Sequence, residues 1–145
     1  MVGWNPWREL RHRTHLLLAW GRLGGLGGRI DQLPNGMRQI TLDIDLDQRE
    51  RNAVLAHELV HDERGLLPRG APKPWRDREE RAVRDETARR LVPADLLEDF
   101  VTNQVIDHGC CEWRDVADEF DVPRDVAERA MMLLARRRHP TAGAA

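Results

Sequence analysis

The residues best suited to chemistry in this chain are His57, Glu58 and His61, in the order His57-Glu58-Leu59-Val60-His61. On a helix, residues four apart lie on one face, so two imidazoles at this spacing can reach one metal ion from adjacent turns. Glu58 stands about 100° round from His57, close enough to touch a water on that metal without being a ligand. Catalytic zinc takes three protein ligands, keeps one position for water, and lowers the pKa of that water to about 7. A neighbouring carboxylate can then accept the proton. The spacing therefore predicts a metal-activated water, with His57 and His61 as zinc ligands and Glu58 as the base that takes its proton.

A third ligand is required. A histidine six residues beyond His61 would complete one such pattern, but Leu67 occupies that position and Arg64 the place of the required glycine. A distal glutamate is left. The helix expected over 77–92 offers Glu79, Glu80 and Glu86. On a helical wheel Glu80 shares its face with Val83, Thr87 and Leu91, whereas Glu79 and Glu86 fall with Ala82 on a stripe edged by Arg78, Arg89 and Arg90. A carboxylate among apolar neighbours needs a compensating charge, and a metal supplies one. Glu80 is the first candidate, Glu86 the second and Glu79 the third. All three also read as solvated carboxylates paired with arginines.

Other reactive residues offer less. His108 stands close to Cys110 and Cys111, but adjacent cysteines chelate one tetrahedral zinc poorly, so buried or idle thiols are the expectation. The chain has no tyrosine. An oxyanion would have to be stabilised by a histidine, an arginine, a backbone amide or the metal. Of the five tryptophans, Trp75 ends a proline-rich stretch between the two ligand-bearing helices and is the one expected to touch substrate.

Positioning these groups requires a buried helix and a second helix facing it. Asp47 followed by Glu50 is a capping-box start, and Gly65 a stop, so the first helix is expected to end near Arg64. Leu55 and Leu59 project away from the histidines, which makes the helix apolar nearly all round and predicts burial. Before it, 14–20, 29–33 and 38–46 read as strands. In the last of these Ile40, Leu42, Ile44 and Leu46 alternate with polar residues. The glycines of 21–28 form a loop, and Pro34-Asn35-Gly36 marks a hairpin turn. Pro6–His12 reads as a short helix. After the zinc helix come a loop over 66–75 and helices over 77–92, 94–107, 112–120 and 124–138. The expected class is α+β: a small N-terminal antiparallel sheet of about three strands followed by a helical core. The expected organisation is one domain over 1–107, a helix-turn-helix-like appendage packed on it over 108–140, and a disordered tail over 141–145.

Composition excludes several classes. With 145 residues, 41% hydrophobic and 33% charged, the chain is neither fibrous nor disordered. No apolar run approaches membrane-spanning length. Two adjacent cysteines exclude a disulfide scaffold, and the N-terminus lacks the layout of a secretory signal, so a cytoplasmic location is expected. A net charge of −2 does not suit a dedicated nucleic-acid binder. All but Lys73 of the 23 basic residues are arginine.

Ala56-His57-Glu58-Leu59-Val60-His61 resembles the AHELxH core of the ImmA/IrrE family of metallopeptidases. That family continues with a helix of the form E-x-x-A-x-x-F-A-x-x-L-L-x-P. Here Glu80 through Pro93 keeps the spacing, with Val83, Glu86 and Arg90 departing from it. Val116-Ala117-Asp118-Glu119-Phe120-Asp121-Val122-Pro123 resembles the LAxxFxVS segment that opens a helix-turn-helix-like unit. The resemblance spans about 47–134, and the short arginine-rich form is similar to members carried by actinobacteria and their phages. It implies a zincin-like core holding one zinc ion per chain on His57, His61 and Glu80. It also implies a protein substrate, namely a DNA-binding repressor or transcription regulator of a phage or mobile element that is cleaved at a limited site or antagonised. The alternative is a non-catalytic, zinc-stabilised module that docks a repressor, or DNA, through its C-terminal helices.

Overall fold

The structure is a computed structural model, and it describes residues 3–140. The tail 141–145, expected to be disordered, lies outside the described residues. The chain opens with helix α1 (Pro6–His12), whose first backbone amides, those of Trp7 and Arg8, donate to the Asn5 side chain. Three strands follow, β1 (Leu16–Gly21), β2 (Gly28–Gln32) and β3 (Arg38–Asp43). Five helices complete the order: α2 (Gln48–Arg64), α3 (Lys73–Leu91), α4 (Ala94–His108), α5 (Trp113–Phe120) and α6 (Arg124–Arg138). A three-stranded sheet followed by helices is the α+β layout that the patterning predicts.

The sheet departs from expectation in one respect: it is mixed, in the order β1-β3-β2. The Asn35-Gly36 hairpin pairs β2 with β3 antiparallel, but β1 pairs with β3 in parallel, with Ala19 opposite Thr41. The six residues from Arg22 to Gly27 are too many for a tight hairpin turn. They carry the chain past the position that β3 then fills. The central place suits β3, whose Ile40 and Leu42 are fully buried. It is also shorter than its alternation suggests. The Asp43 carboxylate accepts the backbone amides of Leu23 and Asp45. These bonds turn the chain at Ile44, which is partly exposed instead of joining the core.

α2 has the expected bounds. Asp47 and Glu50 form the capping box, and Gly65 ends the helix with φ 88°. α3 begins at Lys73, earlier than expected. Pro74 lies in its first turn, where a proline without an N–H costs nothing.

α2 lies between two cores. One gathers Leu16, Ile40, Leu42, Leu55 and Leu59, with Trp4 and Trp7 packed on it. The other joins Ala53 of α2 to Ala88, Leu97, Val116, Ala127 and Leu134 of the later helices. The segments 1–107 and 108–140 therefore share the second core. No helix among the described residues is long and apolar enough to cross a membrane.

Candidate metal centre

His57 and His61 stand one turn apart on α2, their ring centroids 4.8 Å apart. Leu55 and Leu59 are fully buried on the sheet side of the same helix, which fixes the histidine face toward α3. From α3, Glu80 meets both rings. Its Oε1 lies 3.1 Å from His57 Nε2 and its Oε2 3.2 Å from His61 Nε2. One ligand atom from each of the three residues falls within 4.8 Å of the others. Val83 and Thr87, on Glu80's face of α3, are buried, as the wheel predicts.

The electrostatics are those of a cation site. Hydrogen bonds from His57 and His61 hold the Glu80 carboxyl well below the usual carboxylate range, against the opposing effect of burial. Burial pulls the His61 imidazolium down, but the Glu80 hydrogen bond and the Glu58 charge outweigh it, so its pKa is raised. Two imidazoles and one ionised carboxylate are donors that suit a divalent transition metal, and a cation entering here competes with a proton on His61. The cluster could hold a metal ion, and the donor set fits one.

Glu58 is 5% exposed. Burial raises its pKa, while the charges of His57 and His61 pull it back down. A carboxyl pushed upward in this way suits proton transfer near neutral pH. It lies against β2, because a Cβ built on Gly28 would sit 3.4 Å from Glu58 Oε1.

No protein-family model, no curated protein and no solved structure matches this chain. The site stands on its own residues.

The other sequence candidates fall elsewhere. Glu79 pairs with Arg64 at 2.6 Å, and Glu86 with Arg90 at 3.0 Å, so both belong to the arginine-paired surface. Trp75 does not line the cleft over the ligands. The early start of α3 puts it in a helical first turn, 56% exposed to solvent. Trp4, Trp7 and Trp113 pack against the two cores. Cys110 and Cys111 are free thiols.

The cleft itself encloses about 1560 Å³. Its walls are the edge strand β2 with Gly28 and Ile30, the glycine loop with Leu26, the loop before α3 with Leu67, and α6 with Val126 and Met132. Sequence reasoning did not place β2 or α6 at the site, because both arrive by tertiary packing. It also missed Asp62, whose side chain is 3% exposed. That carboxylate receives Arg13 at 3.1 Å, Arg38 at 2.9 Å and His15 at 2.9 Å, tying the C-terminal half of α2 to the start of β1 and β3. Burial raises its pKa, but these three partners together lower it below the ordinary value.

Proposed function

We propose that the chain is a zinc-dependent endopeptidase of the HExxH type. The observation that carries the reading is the convergence of His57, His61 and Glu80 within 4.8 Å, with the buried Glu58 one residue along the same helix. His57, His61 and Glu80 would hold the metal. Bound zinc would supply the positive charge that polarises the scissile carbonyl and acidifies a water. Glu58 takes a proton from the water as its oxygen attacks the carbonyl carbon. It returns that proton to the amine nitrogen as the C–N bond breaks. β2 pairs with β3 on one side only, so its second edge offers backbone donors and acceptors to an extended peptide along the cleft.

The cleft is open and lined by several elements, which favours limited cleavage of a folded partner's exposed segment over general digestion. By its resemblance to the ImmA/IrrE peptidases, the substrate is a repressor of a phage or mobile element, met in the cytoplasm. Direct reading of DNA by α6 is the weaker proposal. Asp125 and Glu128 of its first half line the cleft, and carboxylates meet phosphates unfavourably.

Metal content tests the reading on protein purified without added metal. About one zinc per chain, kept in Glu86→Ala and lost in Glu80→Ala, supports it. A parent protein that takes up no zinc even when zinc is offered would overturn it, leaving a docking module in which the HExxH residues are a relic.

A further inference from the structure

We propose that Arg84 is a positioning residue that holds the Glu80 carboxylate in its metal-ligating orientation; this rests on the zinc-peptidase reading above. Arg84 stands one turn after Glu80 on α3, and its Nε donates to Glu80 Oε1 at 3.2 Å. It lines the same cleft as the three ligands. A carboxylate that ligates through one oxygen must have the other held, or it swings between geometries, and such outer partners sharpen metal binding. Among the described residues, Arg84 is the group bonded to Glu80 from outside the triad.

Three of the other four arginines of the cleft are engaged elsewhere. Arg29 pairs with Asp31, Arg38 with Asp62 and Arg129 with Asp85. Arg69 stands on the turn before α3 and makes no ion pair among the described residues. Glu80 is the most exposed of the three ligands, its side chain at 35% against 22% for His57 and 21% for His61. It is therefore the ligand with the least packing to fix its rotamer, and the one that needs a bond to do so.

Charge and positioning predict opposite signs, which makes the inference testable without any substrate. By Coulomb's law alone, removing a cation beside a cation site tightens metal binding. If Arg84 positions Glu80, removing it weakens binding despite that gain.

The experiment measures zinc affinity by competition with a chelator. Arg84→Ala is expected to weaken zinc by about 10–100-fold. Arg84→Lys, which keeps one donor but not the guanidinium plane, should recover part of the loss. Arg81→Ala, which removes an equal charge from an exposed position of the same helix, should leave affinity unchanged. The melting temperature of metal-free Arg84→Ala should match the parent, because an exposed i,i+4 pair contributes little to stability. Equal or tighter zinc binding by Arg84→Ala, with the parent binding normally, overturns the role of Arg84 and leaves the peptidase reading intact. A parent that binds no zinc overturns both.

Discussion

His57, Glu58 and His61 were legible in the sequence because their relation is local: four residues of helix put two imidazoles on one face. Glu80 was legible from the apolar company it keeps on its own helix. Asp62 was not, because the groups that explain it come from positions 13, 15 and 38, and nothing in the sequence brings them together. Two predictions belong at this scale. Glu58→Gln should keep zinc while losing about 10²–10⁴-fold in turnover, since the amide cannot carry the proton; metal analysis beside a peptide-cleavage assay reads both. Turnover equal to the parent's would remove Glu58 from the mechanism. Asp62→Asn leaves Arg13, Arg38 and His15 around a neutral group and should cost on the order of 3 kcal/mol at neutral pH, read by urea unfolding. Because the Asp62 pKa is lowered in the folded state, its contribution is complete above the unfolded value of about 3.9 and is lost as pH falls through the lower folded one. The parent and the variant should therefore converge in stability in acid. A gap that persists to the bottom of the acid range would show that the charge of Asp62 is not what matters.

Among the elements, α2 was legible to its caps because the capping box and the terminal glycine are written within the helix. The sheet was legible as strands but not in its pairing. Whether β1 joins β3 in parallel depends on where the glycine loop takes the chain, and loop path has no periodic signature. The same limit hid the first turn of α3 inside a stretch that its prolines mark as loop, and with it the outward direction of Trp75. Gly28 shows how tightly β2 seats on α2. Its requirement is for space. A Cβ there would overlap Val54 Cγ1, with the Thr41 carbonyl oxygen 3.3 Å away. Gly28→Ala should cost about 1–3 kcal/mol, the usual penalty for overpacking, measurable as a fall in the urea midpoint. A variant as stable as the parent would mean that β2 can lift from α2 freely.

At the scale of the whole molecule, the ligands come from two helices, so a bound metal clamps α2 to α3. A ligand that binds only the folded state stabilises it in proportion to its saturation, by about 2.7 kcal/mol when free metal is 100 times its dissociation constant. A chelator should therefore lower the melting temperature of the zinc-loaded parent and leave Glu80→Ala unmoved; an equal fall in both would place the metal elsewhere. The two cores add an order in time. The first core, with α2 and Glu80 beside it, is encoded before residue 81, while the second is completed by Val116 to Leu134. The ribosome delivers the chain from its N-terminus at about 5–20 residues per second. His57, His61 and Glu80 are thus synthesised before α6, one wall of the cleft. A chain that ends ahead of α6 therefore contains His57, His61 and Glu80 but lacks the cleft wall formed by Val126 and Met132.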